Sequence, residues 1–300
     1  MRCVRLAFVL LILLPLLIII SACAPAGDGA AAGTRAALPG GDECADVWRV
    51  SVVGPGGEEV RSLTETELAS ETTGLFAYVY STINNWPSPR FYVAEGYKAE
   101  DLLKAAGLYE TAQTVTFRGE DGYEVSLTRE QLLAAQYSYP HPGESLDGAT
   151  PVYPILAFRW REGADDMDSL REDRPSLIIG QRNPFEHTNP AFVVGVTEII
   201  VSGEPCQVWP MASTFPLPGS IAEGETVKLQ HPDFGLVKLY YTLDGSEPTA
   251  LSAMYNPSTY QPELNVPIPI TGQTLIKVLV SGYGKLDSEI AVFEFIIPAT

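Results

Sequence analysis

The N-terminal segment restricts what this chain can fold into more than any other segment does. Its composition is typical of a segment that lies outside the folded domains. Arg2 and Arg5 precede an apolar run, Leu6–Ile20, which is too short to span a bilayer comfortably. The run ends in two small residues and a cysteine, Ser21-Ala22-Cys23. This order is typical of an export signal, so we expect residues 1–22 to be cleaved off. A secretory signal without a lipid and an uncleaved anchor are the alternatives, and both still export the chain.

The end of this run resembles the lipobox of bacterial lipoproteins, with an aliphatic residue, Ile20, then two small residues and Cys23. The resemblance implies a diacylglycerol group linked through a thioether to Cys23. Each buried methylene adds about 0.8 kcal/mol of membrane affinity, so two or three acyl chains hold a protein at the bilayer. We therefore predict a lipoprotein of the bacterial cell envelope, anchored to the outer face of the cytoplasmic membrane, or on the periplasmic side if a second membrane exists.

The charge of the chain excludes some partners. The chain has 19 Lys and Arg against 37 Asp and Glu, a net charge of −18, and the signal holds two of the basic residues and no acidic one. A surface this acidic repels nucleic acid and anionic lipid headgroups. The predicted partner is therefore the membrane, through the lipid on Cys23, with an envelope protein or a polysaccharide as further candidates, and no nucleic acid.

Two cysteines, Cys44 and Cys206, remain after the signal and the lipid site are set aside. In an exported chain an isolated pair favours one disulfide, and closing a loop of about 160 residues would contribute roughly 4–5 kcal/mol. Cys44 precedes the first predicted strand and Cys206 follows the last strand of the same region, so the bond would join the two ends of a domain. Two free thiols are the alternative.

Composition divides the rest of the chain into four parts. Residues 23–41 are rich in Ala and Gly and predict a flexible spacer. In residues 42–206 short helices alternate irregularly with strands, which predicts an α+β domain rather than a doubly wound sheet. Residues 207–218 are rich in proline and predict a linker. Residues 219–300 show strand patterns and turns without a helix, which predicts an all-β immunoglobulin-like sandwich.

Local signals locate many elements. Trp48–Val53 and Glu58–Arg61 predict a hairpin around a Gly-Pro-Gly-Gly turn. Two capping boxes, Thr64 with Glu67 and Thr128 with Gln131, each predict a helix start directly after a strand. A third helix is predicted over Ala99–Ala106, ending at Gly107. The other predicted strands are Phe76–Ser81, Thr114–Arg118, Tyr123–Leu127, Val152–Trp160, Leu177–Ile179, Phe192–Val201, Thr226–Leu229, Leu236–Thr242, Thr274–Val280 and Ala291–Ile297.

The first domain resembles the molybdopterin-binding domain of the sulfite oxidase type. The residues that carry the resemblance are Glu95–Gly107, Val115–Tyr123, Ser126–Leu132 and Leu156-Ala157. The resemblance implies a mixed α+β fold and a molybdenum held by a cysteine thiolate close to an asparagine. Ser81 aligns with that cysteine and Asn84 with the asparagine.

The chain departs from that pattern at the metal ligand, since it has no cysteine between Cys44 and Cys206. A hydroxyl group has a much higher pKa than a thiol and is a poor ligand for a soft metal centre. Arg174 and Arg182 are the nearest candidates for gripping the cofactor's phosphate. We therefore predict a domain that keeps the fold and lacks the redox chemistry. A molybdopterin oxidoreductase that lacks the usual cysteine is the alternative.

An aromatic group, Tyr78, Tyr80, Trp86, Phe91 and Tyr92, surrounds the aligned position. Aromatic faces beside amide and guanidinium groups suit a flat or sugar-like ligand. The residues predicted to line a ligand or cofactor cleft are Ser81, Asn84, Asn85, Trp86 and Arg90. Core packing of the alternating tyrosines is the competing interpretation.

The second domain resembles the immunoglobulin-like accessory domain at the C-terminus of chitobiases. Val237–Thr249, with its Tyr-Thr-x-Asp-Gly-x-x-Pro turn, carries the resemblance together with Tyr255-Asn256, Leu275–Val278 and Val292–Phe295. Its tyrosines (Tyr240, Tyr241, Tyr255, Tyr260 and Tyr283) could offer a carbohydrate platform. Packing is favoured, because strand alternation sends Tyr240 and Tyr241 to opposite faces.

No catalytic or metal site is predicted. His141, His187 and His231 are far apart in sequence, and the acidic residues between Glu162 and Asp173 are interspersed with arginines. The sequence thus favours a tethered, non-enzymatic binding or interaction module. The alternatives are the molybdopterin oxidoreductase and a protein that binds cell-wall polysaccharide through the sandwich.

Overall fold

Two strands joined by a glycine turn begin the structure, a computed structural model that describes residues 48–86, 88–257 and 262–298. In β1 (Arg49–Val53) Val50 and Val52 are buried, and the residues between them face outward. β1 pairs antiparallel with β2 (Glu59–Thr64), and Gly57 in the turn has a φ of 82°, a conformation that favours glycine. The predicted hairpin is confirmed.

Short elements follow in the first domain. They are α1 (Glu65–Glu71), β3 (Phe76–Ile83), β4 (Pro89–Lys98), α2 (Ala99–Ala105), β5 (Thr114–Gly119), β6 (Glu124–Thr128), α3 (Arg129–Leu133), β7 (Gln136–Ser138), β8 (Thr150–Val152), β9 (Ile155–Glu162), β10 (Glu172–Ile178) and β11 (Val196–Ser202). One sheet has the order β2-β1-β11-β5-β6 and a second the order β10-β9-β4-β3, while β7 and β8 form a small ribbon.

Both predicted capping boxes are present. At α1 the backbone N–H of Thr64 donates to the Glu67 carboxylate at 2.9 Å, and the Glu67 N–H donates to the Thr64 hydroxyl at 3.3 Å. At α3 Thr128 and Gln131 make the same pair of bonds at 3.0 and 3.1 Å. Such reciprocal bonds satisfy two backbone donors at a helix start, which explains why five- and seven-residue helices form here.

The long strand β4 was not predicted, although it lies between β3 and β9 at the centre of its sheet. Its residues Tyr92-Val93-Ala94 are all buried, so the strand lacks the alternation that marks a half-exposed strand. Gly96 brings β4 close to β9, because a Cβ there would overlap the carbonyl oxygen of Leu156. A glycine within a strand is a weak signal that is easily read as a loop.

The second domain is a β-sandwich. Its strands are β12 (Ser213–Phe215), β13 (Gly219–Ser220), β14 (Thr226–Gln230), β15 (Val237–Thr242), β16 (Ala253–Tyr255), β17 (Ile268–Pro269), β18 (Thr274–Gly282) and β19 (Ala291–Ile296). The sheets β12-β14-β17 and β13-β19-β18-β15-β16 enclose a core that includes Leu239, Val278 and Phe295. The four strands predicted in this region are confirmed, and the described chain as a whole is mostly β-sheet.

The proline-rich segment 207–218 packs as part of the sandwich rather than as a linker. Trp209 is buried in the sandwich core, and its backbone N–H donates to the carbonyl of Leu286 at 2.9 Å. Residues Ser213–Phe215 pair with β14 at the edge of a sheet. Proline is tolerated at sheet edges, where no ladder bond is lost, so a proline-rich sequence does not exclude a strand here.

Residues 45–300 form one compact unit, and Gln131 joins the first domain to the second within it. The Gln131 amide donates to the carbonyls of Gly282 at 2.8 Å and Lys285 at 3.1 Å, and its oxygen accepts from the Gly284 N–H at 2.9 Å. Tyr283 packs against the core of the first domain. The two domains therefore contact each other directly.

Among the described residues Cys206 has no disulfide partner, and its sulfur lies 3.2 Å from the carbonyl oxygen of Gln113. Its predicted partner Cys44, the lipid site Cys23 and the spacer 23–41 lie outside the described residues. The disulfide and the lipid anchor therefore stay predictions. Among the helices of the described residues, none has the length and apolar character needed to cross a membrane.

Candidate functional site

Ser81 lies in a fully buried polar group rather than at an open cleft. Together with Thr82, Gln181 and Thr188 it forms the Ser81 cluster, in which each residue is 0% exposed. The Ser81 hydroxyl donates to the Gln181 side-chain oxygen at 2.5 Å and accepts from the backbone N–H of Tyr139 at 2.7 Å. The hydroxyls of Thr82 and Thr188 bond to each other at 2.6 Å.

Gln181 completes this cluster from the loop that follows β10. Its amide nitrogen donates to the carbonyls of Pro184 at 3.2 Å and Glu186 at 2.9 Å. Each polar side chain of the cluster thus has a protein partner, as buried polar groups require. The cluster holds β3 to the loops around it and leaves no group free for a ligand.

The other residues of the predicted cleft do not converge on Ser81. The Asn84 side chain accepts from the backbone N–H of Ser88 at 3.2 Å within the β3–β4 turn. The Trp86 side chain is 61% exposed, and Arg90 forms an ion pair with Glu162. Asn85 lines a different cavity. Tyr80 and Tyr92 belong to the core, as the packing interpretation predicted.

A cavity of about 580 Å³ lies between the two domains, and we call it the interdomain cleft. The first domain contributes walls that include Asn85, Arg182 and His187, and the second contributes walls that include Trp209, Lys238 and Tyr283. Both domains therefore line this cavity, and its volume is large enough for a small molecule.

Strand alternation in β15 explains which groups face the first domain. Lys238 and Tyr240 lie on one face of the strand, while Leu239 and Tyr241 pack on the sandwich core. Ser281 of β18 stands opposite Lys238 in the register and also lines the cleft. The predicted separation of Tyr240 and Tyr241 onto opposite faces is confirmed.

One charged pair in the cleft wall is fully bonded. The Arg182 guanidinium donates to Glu186 at 2.8 and 2.5 Å, and the Tyr283 hydroxyl donates to the same carboxylate at 3.0 Å. Burial raises the pKa of both Tyr283 and Tyr240, so both phenols stay protonated at neutral pH. The Arg182–Glu186 pair therefore contributes little net charge to the cleft.

Lys238 has no such compensation. Its ammonium donates to the Asn85 side-chain oxygen at 3.3 Å, and among the described residues no carboxylate lies within ion-pair distance of it. Burial lowers the pKa of Lys238 to about 8, because the charged form is poorly solvated there. The cleft wall thus carries a positive charge that is only partly satisfied.

Two ring nitrogens of the cleft-lining residues also lack partners in the part of the chain that the structure describes. They are Nδ1 of His187, which is 8% exposed, and Nε1 of Trp209, which is 4% exposed. Burial, and next the charge of Lys238, lower the pKa of His187 to about 4, so the ring is neutral at pH 7. The Lys285 ammonium sits 4.4 Å from the centre of the Trp209 ring.

Only a weak signal for this cleft is present in the sequence. A lysine between apolar residues in β15 shares a face with Tyr240, which indicates a face that another surface must cover. The covering surface includes Asn85, which is 153 residues away in the chain, and no local pattern connects the two. The His187 side chain is buried at the cleft wall.

Comparisons with known proteins concern mainly the second domain. Residues 227–295 match the family model described as Fn3 associated, which covers the sandwich and not the first domain. Among solved structures, a chimeric titin Z1Z2 functionalized with a KLER exogenous peptide from decorin is similar at 10% identity, covering 76% of this chain and 99% of that chain, with a TM-score of 0.19. No curated protein matches the chain. The family match agrees with the sandwich.

Proposed function

We propose that this chain is a membrane-anchored extracytoplasmic lipoprotein that binds a ligand in the interdomain cleft without converting it chemically. The observation that carries the proposal is a cavity of about 580 Å³, walled by both domains, in which Lys238 and His187 lack full protein partners. Buried polar groups without partners are rare in folded proteins, and a ligand that supplies those partners is the simplest account of them.

The volume supports a small-molecule ligand. Ligand pockets commonly measure about 300–1,000 Å³ and combine apolar walls with a few polar groups. The cleft has this character, since Trp209 and Tyr283 stand beside Lys238 and His187. A site between two domains also fits the usual location of such pockets.

The exported location rests on the N-terminal export signal, residues 1–22, and on the lipobox resemblance at Cys23. A lipid on Cys23 and a spacer over residues 23–41 would hold the cleft outside the cytoplasmic membrane. Metabolic labelling of the full chain with a palmitate analogue tests the anchor, with Cys23→Ala as the matched unlabelled variant. Equal labelling of both chains would contradict it.

Molybdopterin does not fit the residues at the aligned position. The Ser81 hydroxyl already has two protein partners and is 0% exposed, and the sequence offers no thiolate between Cys44 and Cys206. We propose that the first domain derives from the sulfite-oxidase-type α+β fold, on the strength of its two capping boxes and the residues quoted for the resemblance. The oxidoreductase alternative has no comparable support from the site.

Polysaccharide binding through the sandwich alone has less support than binding in the cleft. Of the tyrosines that could form a platform, Tyr240 and Tyr255 are buried, while Tyr260 lies outside the described residues. Pull-down on insoluble chitin and peptidoglycan tests this alternative. Retention of the full chain at low salt would favour it over the cleft.

The cleft itself is tested by a ligand-observed NMR screen of the full chain against mono- and disaccharides and small carboxylic acids. Ser281→Phe fills the cleft from the sandwich, and Asn85→Trp fills it from an exposed turn of the first domain, where folding is at less risk. Ser213→Phe, on the exposed edge strand β12, is the matched control.

We expect at least one compound to bind the unmodified chain and the control and to be lost from both filled variants. Binding that survives in Asn85→Trp and Ser281→Phe, each verified as folded by circular dichroism, would overturn the proposal. A screen in which no compound binds the unmodified chain would also overturn it.

A further inference from the structure

The charges around the interdomain cleft do not balance. Arg182 is paired with Glu186, and Glu124, the other acidic residue of the lining, is paired with Arg118. Lys238 is left with a neutral amide as its hydrogen-bond partner. A chain with a net charge of −18 thus holds a half-buried positive group without a carboxylate of its own, against the trend of its surface.

Such an arrangement is costly for the free protein. Even a half-buried charge without a counter-charge loses part of its hydration, and a paired and hydrogen-bonded anion offsets that cost. An ammonium has three donor hydrogens, and Asn85 accepts only one of them. Two donors of Lys238 are therefore open to a ligand.

We propose that the interdomain cleft recognises the carboxylate of a small organic acid, and that Lys238 pairs with it. The proposal rests on the cleft being the binding site and adds the chemical class of the ligand. Ser281, opposite Lys238 in the β15–β18 register, offers a hydroxyl on the same wall. Trp209 and Tyr283 supply apolar surface for the remainder of the molecule.

The same groups disfavour a phosphate. Recognition of a dianionic phosphate commonly uses a guanidinium fork, and the fork of Arg182 is already occupied by Glu186. The Glu186 carboxylate also lines the cleft and would repel a second negative charge. Lys285 also lines the cleft without an ion pair among the described residues, but its ammonium lies 4.4 Å from the centre of the Trp209 ring. Lys238 is therefore the lysine of the lining whose ammonium is held by an amide oxygen alone.

The test uses two pairs of probes that differ in charge but hardly in shape, benzoate with benzamide and glucuronate with glucose. Calorimetry measures the binding of each probe to the full chain. Lys238→Met removes the charge at similar length, and Lys238→Arg keeps it. Lys228→Met, on the exposed side of β14, changes the net charge by the same amount and is the control.

We expect at least one acid to bind about tenfold or more tightly than its neutral partner, as a charge-assisted hydrogen bond would give. This preference should persist in Lys228→Met and Lys238→Arg and fall to about onefold in Lys238→Met. NMR titration of Lys238 should show its pKa rising when the acid binds.

Equal binding of acids and neutral partners, an unchanged preference in Lys238→Met, or no binding of either acid would overturn the carboxylate proposal. These outcomes are distinct from failure of the cleft as a site. A neutral compound that binds the unmodified chain and is excluded by Asn85→Trp would leave the cleft in place with a different ligand class.

Discussion

The Ser81 cluster and the interdomain cleft both contain polar side chains shielded at least in part from solvent, yet they differ in how those polar groups are satisfied. In the Ser81 cluster each hydroxyl and amide bonds to another protein group, and the side chains are 0% exposed. In the cleft Lys238 has one neutral partner, and Nδ1 of His187 has none in the described chain. Burial of polar residues alone is therefore weak evidence for a functional site, whereas incompletely bonded polar groups beside a cavity make the cleft the better candidate.

The strongest test of this contrast is Gln181→Ala. The substitution removes the partner of Ser81 and the donor to the Pro184 and Glu186 carbonyls, and it leaves a void. We expect the free energy of unfolding to fall by about 3–4 kcal/mol, measured by urea denaturation. The exposed Gln230→Ala on β14 should change it by less than about 0.5 kcal/mol. A loss below about 1 kcal/mol for Gln181→Ala would show that the cluster is not structural.

The acid sensitivity of the cleft gives the second test. His187 has a pKa of about 4 in the folded chain and 6.5 when unfolded, so between these values the unfolded state binds more protons. Stability should therefore fall as pH drops from 6.5 towards 4, with His187 accounting for on the order of 2 kcal/mol. His187→Gln should remove the part of this pH-dependent loss of stability that is due to His187. The substitution of the exposed residue, His141→Gln, should leave the loss unchanged, as measured by unfolding at pH 7 and pH 4.5. Parallel pH profiles for all three proteins would contradict the assignment.

The smallest effect is expected at Lys238. Here replacing the charged side chain with an apolar one should stabilise the folded chain. Lys238→Met removes a poorly compensated charge and should raise the free energy of unfolding at pH 7 by about 1 kcal/mol. Because the lysine deprotonates at about pH 8 when folded and 10.5 when unfolded, stability of the unmodified chain should rise with pH above 8. The gap to Lys238→Met should narrow between pH 7 and pH 9, with Lys228→Met as the control. A destabilised Lys238→Met would place Lys238 with the structural group.

The fold could be predicted where its signals are local. The β1–β2 hairpin and both capping boxes depend on residues within a few positions of each other, and all three are present. β4 escaped prediction because burial on both faces removes alternation, and segment 207–218 was misassigned because its prolines suggested a linker while Trp209 packs into the sandwich.

The candidate site could not be predicted to the same degree. Sequence alignment with a cofactor-binding family pointed to Ser81, but alignment carries no information on whether a hydroxyl already has partners. The cleft depends on contacts such as Lys238 with Asn85, which are set by how two domains dock. The way in which two domains dock depends on the shape and hydrogen bonding of whole surfaces. The spacing of residues in the sequence does not predict it.

Gln131 takes part both in the N-terminal cap of α3 and in the contact between the first domain and the sandwich. Glu67, its counterpart in α1, bonds within its own capping box, whereas the Gln131 side chain serves both the Thr128 backbone and three backbone groups of the sandwich. We therefore expect fraying of α3 and detachment of the sandwich to be coupled rather than independent. The wall that the second domain contributes to the interdomain cleft is thereby held in place by a residue that does not itself line the cleft.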